Sequence, residues 1–164
     1  MMSITQSAGE DFPPMPAWEV AQWFNTPHAL QVEDLRGKVV MLHAFQMLCP
    51  ACVLHSIPQA QRVRKAFPLA EVAVVGLHTV FEHHDAMRPQ ALDAFIHEFR
   101  LTFPVGVDKP ADIGPLPRTM SKLDLQGTPS ILLLDRQGRI RLQHFGKIDD
   151  LELGALLGQL MAQA

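Results

Sequence analysis

The chain has 164 residues, enough for one domain with a real core, and its 48% hydrophobic and 19% charged residues are the balance of an ordinary globular protein. With 14 basic against 17 acidic residues the formal charge is −3, which leaves neither a nucleic-acid footprint nor a polybasic membrane contact. No apolar stretch approaches the length needed to cross a bilayer, and residues 1–11 lack the basic start and apolar run of a signal peptide, so a cytoplasmic protein is expected.

In chain order, residues 1–16 are polar and proline-rich and read as a flexible or surface-laid arm, with residues 17–164 as a single domain. Residues 18–24 alternate loosely, as an edge strand would. Asn25-Thr26-Pro27 is turn chemistry, and Leu35-Arg36-Gly37-Lys38 turns into Val39–Phe45, an apolar run read as a buried strand. Val53 to Phe67 carries a helical pattern interrupted by Pro58, expected to kink the helix or end its first part. Glu71–His78 is a second buried strand, rich in β-branched residues. A loop over 79–87 precedes a helix over Pro89–Phe99 with Leu92, Phe95, Ile96 and Phe99 on one face.

Phe103–Val107 reads as a short strand, and 110–117, with three prolines, as irregular chain. One or two helical turns are expected over Thr119–Leu123. Ser130–Leu134 and Arg139–Phe145 flank Asp135-Arg136-Gln137-Gly138 and predict a hairpin. Asp149-Asp150 cap a last helix through Met161, with Leu151, Leu153, Leu156, Leu157 and Leu160 turned inward. No internal repeat is present.

The chemistry concentrates in Cys49-Pro50-Ala51-Cys52, which ends the first buried strand and opens the helix. Two thiols at this spacing can close a small disulfide ring and open it again. The first thiol falls over the helix N-terminus, where free N–H groups and the dipole favour thiolate, the attacking species in disulfide exchange. Pro50 fits the first helical turn, where its missing N–H costs nothing. The chain has no other cysteine, so a redox-active Cys49–Cys52 disulfide is the expected redox group and no cofactor is called for.

Five histidines need weighing. His43, near the end of the first strand and beneath the motif, is a candidate base for Cys52; the bland alternative is a core histidine bonded to backbone. His55, one helical turn after Cys52, makes Cys49, Cys52 and His55 resemble a metal set for zinc or copper(I). The second knuckle of a structural zinc site is missing, however, and a solvent-facing His55 is preferred. His78 ends its strand on the same sheet edge as the cysteines and is a candidate for orienting substrate or tuning the thiol. His83-His84 reads as a solvated loop pair. The methionines are too scattered for a copper site, while Met47 and Leu48 beside the motif are candidates for an apolar lip.

This order of elements, with Cys-Pro-Ala-Cys after the first core strand and Gly127-Thr128-Pro129 before the hairpin, resembles the thioredoxin superfamily. Within it the likeness is to the TlpA-like (redoxin) branch of thiol–disulfide oxidoreductases. Leu35-Arg36-Gly37-Lys38-Val39-Val40, Gly76-Leu77-His78-Thr79 and Phe103-Pro104-Val105-Gly106-Val107-Asp108 are similar to segments of that branch. The likeness covers roughly residues 18–162. It implies an α/β thioredoxin-like fold, a central mixed sheet flanked by helices, with the branch's extra strand and helix over 67–108. It also implies a cis Pro129 facing the cysteines, with Thr128 and Pro129 as the substrate-facing loop; Leu48, Pro50 and His78 are further candidates for the substrate surface. Leu48 stands where thioredoxins usually carry Trp, and His43 where many relatives carry a buried carboxylate or amide. Gln46 replaces the Thr three residues ahead of a peroxidatic cysteine, which disfavours peroxidase chemistry.

Two functions remain open on sequence. The first is a thiol:disulfide oxidoreductase in which Cys49 attacks a partner protein's disulfide and Cys52 resolves the mixed disulfide, with reduction as the expected direction in a reducing cytosol. Its electrons would come from a thioredoxin-reductase-like or glutathione-dependent donor that the sequence does not identify. The second is a metal-handling (copper or zinc) or redox-sensing protein on the same fold, without turnover. The oligomeric state is not encoded in any motif.

Overall fold

A computed structural model describes residues 11–163. Strand β1 spans Val20–Phe24, β2 Val39–Phe45, β3 Val72–His78, β4 Val105–Asp108, β5 Ser130–Leu134 and β6 Ile140–Phe145. Helix α1 covers Ile57–Ala66, α2 Pro89–Glu98, α3 Arg118–Lys122 and α4 Asp150–Ala162. The six strands form one sheet in the order β1-β4-β3-β2-β5-β6. β2, β3 and β4 run parallel, while β1, β5 and β6 are antiparallel to their neighbours. This is a mixed sheet flanked by helices, the thioredoxin-like α/β arrangement.

β2 and β3 lie in the middle and are buried along their whole length, which is why they read as unbroken apolar runs. The two-residue alternation then sorts their side chains onto two cores. Val39, Met41, Phe45, Val72 and Val74 face α1, α2 and α4, meeting Ile57, Ala60, Leu92, Ile96, Leu153 and Leu157. Val40, Leu42, Ala44, Val75 and Leu77 face the other way, against Met120 and Leu123 of the α3 segment, Val32, Leu35, Met15 and Trp18. Gly76 gives room on the first face: a Cβ there would stand 3.2 Å from the rings of both Phe45 and Phe103.

Several sequence expectations are corrected. Pro58 does not end the helix. A five-residue π turn, Cys52–Ser56, precedes α1 and places the proline in the first turn of the α-helical part. The wider turn, with Ile57 N–H donating to the Cys52 carbonyl, relieves a ladder that Pro58 could not join as a donor. Leu151 is not inward: it is 84% exposed in the first turn of α4, where its N–H is capped by Asp149. Phe103 and Pro104 lie just before β4 instead of within it, with the Pro104 carbonyl accepting Gly76 N–H at 2.8 Å. The expected N-terminal arm falls partly outside the described residues, at 1–10. The rest of it is laid on the sheet edge, where Met15 N–H donates to the Gly138 carbonyl and Ile140 N–H to the Pro13 carbonyl.

Candidate active site

The site forms where the loops leaving the carboxyl ends of β2 and β3 meet the loop that leads into the antiparallel strand β5. Cys49 holds the helix's N-cap place. Val53 N–H donates to the Cys49 carbonyl at 3.1 Å, and Cys52 N–H donates to Cys49 Sγ at 3.2 Å. A sulfur in that place takes an N–H that would otherwise be orphaned, a role usually filled by a serine or aspartate oxygen. An anionic sulfur accepts such a bond more strongly than a neutral thiol. The same sulfur lies 3.6 Å from the Thr128 carbonyl, toward which the thiol can donate. Both cysteines are free.

The two thiols are strongly unlike. Cys49 is half-buried and Cys52 is 0% exposed. Burial pushes the Cys52 thiol up to about 12, and the neighbouring Cys49 sulfur pushes in the same direction. Cys52 therefore keeps its proton while Cys49 is the sulfur presented to a partner.

Gln46, which the sequence reading used only to argue against peroxidase chemistry, ties the three loops together. It is 2% exposed. Its Oε1 accepts the N–H groups of Phe81 and Glu82 at 3.1 and 3.3 Å, its Nε2 donates to Thr128 Oγ1 at 3.4 Å, and its carbonyl accepts Cys49 N–H at 3.2 Å. The signal available in sequence was a lone amide closing an apolar run directly ahead of the cysteines.

A groove of about 340 Å³ opens beside Cys49, lined among others by Leu48, Pro50, Phe81, Met87, Thr128 and Phe145. Leu48 is 56% exposed and Phe145 55%, so both stand at its rim. Met47, expected at the lip with Leu48, is instead buried. The Thr128–Pro129 peptide bond is cis, with Pro129 buried and Thr128 half-buried. Gly127 lies under the Phe145 ring, where a Cβ would come within 3.0 Å of Cε2. Phe81 and Phe145 belong to the groove although no motif marked them.

The histidines part ways. His78 does not reach the groove: it is 1% exposed, and its Nε2 accepts the N–H of Met47 at 3.2 Å. It thereby holds the chain two residues ahead of Cys49, and burial lowers its pKa to about 4. It is a positioning residue, not a substrate contact. His43 is 0% exposed on the helix-facing side of β2, stacked on Phe45 at 5.3 Å. Its Nε2 lies 2.7 Å from Ser56 Oγ, and its Nδ1 has no hydrogen-bond partner among the described residues. Burial lowers its pKa to about 3, so it does not store a proton near neutrality as a simple base would. His55 is exposed, and His83 and His84 are exposed as well. Among the described residues no three His, Cys, Asp or Glu side chains converge on a point that could hold a metal, so Cys49, Cys52 and His55 do not make one site.

No family model and no curated protein matches the chain. Solved structures do. A thioredoxin-like superfamily protein is 55% identical, with a TM-score of 0.91 over 93% of this chain and 98% of its own. A thiol-disulfide isomerase from Corynebacterium glutamicum is 52% identical, with a TM-score of 0.89 over 92% of this chain and 97% of its own. A thioredoxin-like protein solved in its oxidised form shares the fold at 20% identity, with a TM-score of 0.75 over 92% of this chain and 96% of its own. At more than half identity over nearly all of both chains, the protein belongs to the thioredoxin-like superfamily, among its thiol–disulfide oxidoreductases.

Proposed function

We propose that the protein exchanges disulfides with other proteins through Cys49 and Cys52, and that it runs as a reductant. The observation that carries this reading is the asymmetry of the pair: Cys49 caps the helix at the rim of a groove, while Cys52 lies fully buried with its thiol pushed up to about 12. In the first step the Cys49 thiolate attacks one sulfur of the partner disulfide. A Cys49–partner disulfide forms and the other partner sulfur leaves as a thiolate. In the second step Cys52 gives up its proton and attacks Cys49 Sγ, closing the Cys49–Cys52 disulfide and releasing the partner's second thiolate. Two electrons have passed to the partner, and a dithiol donor returns them by the reverse exchange.

The groove supports a protein substrate. An extended segment can lie along Thr128, whose carbonyl already points at Cys49, while Leu48, Phe81 and Phe145 cover the apolar side chains beside the partner cysteine. The residues between the cysteines are compatible with that direction. Strong oxidants of this chemistry owe their potential to a stabilised reduced form. Pro50 and Ala51 carry no side-chain donor for the Cys49 sulfur, which accepts the Cys52 N–H and faces the protonated Cys52 thiol. A reducing compartment fits that poise. Among the described residues no helix is long and apolar enough to cross a membrane.

The test is a trapping experiment. Cys52→Ala should accumulate partners bound through Cys49 by a reducible link, and the Cys49→Ala, Cys52→Ala double variant should accumulate none. The wild-type pair should show an equilibrium potential near thioredoxin's, about −270 mV. A value near about −120 mV would reverse the direction, and the absence of any reversible two-electron couple would end the exchange reading.

A further inference from the structure

The groove beside Cys49 is lined mainly by apolar side chains and by the amides of Gln46 and Gln126, and no Lys or Arg lines it. Glu82 is the one carboxylate in that lining. It is exposed, and none of the ion pairs among the described residues uses it. On the same loop Asp85 and Arg88 satisfy each other at 2.6 Å, so Arg88 is already engaged. Lys147 belongs to a separate cleft that shares no lining residue with the groove. The groove therefore carries one formal charge besides the Cys49 thiolate, and both are negative.

That carboxylate sits on a backbone the fold holds still. Glu82 N–H and its neighbour Phe81 N–H both donate to the buried Gln46 side chain, at 3.3 and 3.1 Å. Further along the loop, Ala86 N–H donates to the His83 carbonyl at 3.0 Å, and His84 Nε2 lies 3.2 Å from the Pro115 carbonyl oxygen. Only the side-chain torsions of Glu82 remain free to move its charge. A groove of about 340 Å³ is small enough that a chain reaching Cys49 passes within a Debye length of the carboxylate, about 8 Å at physiological salt. As a partner covers the groove, water leaves and the effective dielectric falls. The pull on a cation and the push on an anion then both grow.

We propose that Glu82 selects the substrate: the disulfides this protein exchanges lie in segments with a Lys or Arg beside the cysteine, and disulfides flanked by carboxylates are held off. The basic side chain lies against Glu82 while the apolar neighbours of the partner cysteine meet Leu48, Phe81 and Phe145. It takes no part in the bond changes, which stay those of the two exchange steps. The same charge bears on the electron donor. Glutathione carries two carboxylates and one ammonium group, so a dithiol with basic neighbours suits this groove better than glutathione does. This deepens the exchange reading above and rests on it.

The experiment gives the reduced protein the symmetric disulfides of three end-blocked dipeptides, Lys-Cys, Gln-Cys and Glu-Cys, which differ in charge alone. Oxidation of the protein is followed by quenched alkylation at low salt and pH 8, above the ordinary titration range of histidine. Relative to the neutral probe, Glu82→Gln should slow the Lys probe and speed the Glu probe, each about 2-fold to 5-fold, the range of one exposed charge pair. Glu82→Lys should roughly square those factors and reverse the order of the two charged probes, and added salt should shrink the differences in wild-type. Glu33→Gln makes the same change in net charge at the amino end of β2 and should leave the ratios within about 1.5-fold of wild-type. Ratios unchanged in Glu82→Gln, or changed equally in Glu33→Gln, overturn the selection while the exchange reading stands. So does a neutral probe slowed as much as the Lys probe, since that reports a damaged loop. A wild-type protein that none of the three probes oxidises overturns the exchange reading itself.

Discussion

His43 and His78 occupy neighbouring central strands and flank the same ring: Phe45 lies 5.3 Å from His43 and 5.2 Å from His78, centroid to centroid. Both are almost wholly buried, and burial alone lowers both pKa values, to about 3 and about 4. What they are bonded to differs. His78 accepts a backbone N–H, so its tautomer is fixed and its nitrogen is spent on holding Met47. His43 meets a hydroxyl that can donate or accept, and keeps a second nitrogen open. Burial makes a histidine neutral; its partners decide whether it also anchors the chain beside the active site.

The largest effect that probes this pair is acid destabilisation, where the two should behave alike. Both folded pKa values lie below the unfolded value of about 6.5, so the unfolded chain binds more protons over the intervening range. Their contribution to stability is full above pH 6.5 and is lost as pH falls toward 4 and 3. Each histidine should cost about 1.4 kcal/mol per pH unit once well below 6.5, so the pair gives a slope of about 2.7. Chemical denaturation from pH 7 to pH 4.5 measures it, and removing either histidine should reduce the slope by about half. An unchanged slope in both variants would mean that neither is buried in neutral form.

At neutral pH the same substitution should separate them. His78→Leu strands the Met47 N–H, a buried donor next to the active site, and should cost about 1–3 kcal/mol. It should also slow attack by Cys49, because the chain leading to that residue loses its anchor. His43→Leu removes an open acceptor, and Ser56 retains the Cys52 carbonyl, so stability should stay within about 1 kcal/mol of wild-type. Equal losses from the two substitutions, measured by urea unfolding, would erase the distinction drawn between them.

The sequence carried the architecture further than it carried these partners. β2, β3, the hairpin and α4 were legible because each is an unbroken apolar run or a capped periodic one, patterns set by the core each must cover. Leu151 was misplaced because a leucine in a first helical turn satisfies the pattern whether or not anything lies over it. Pro58 was misread for a different reason. Helix propensity assumes the α ladder, and nothing local announces the π turn that accommodates the ring. At the site, Cys49 and Cys52 carry their chemistry in their spacing. Gln46, Ser56, Phe81 and Phe145 do not, since each acts through a residue 10 to 100 positions away that only the fold brings near. The two histidines show the same limit: strand position gave their burial, but their bonds depend on the π turn and on the loop at Met47.

A glutamine at each position sharpens the comparison with the smallest disturbance. In His78→Gln the side-chain carbonyl can still accept the Met47 N–H, so stability should recover to within about 1 kcal/mol of wild-type, and the rate of attack by Cys49 should return with it. In His43→Gln the amide can still bond Ser56 Oγ and the fold should be equally well kept. An amide does not titrate, however, so each glutamine variant should lose about half of the acid slope while keeping its neutral stability. A His43→Gln variant that unfolds with the full wild-type slope would show that the neutral burial of His43 does not carry its share of the acid destabilisation, and the slope would then belong to His78.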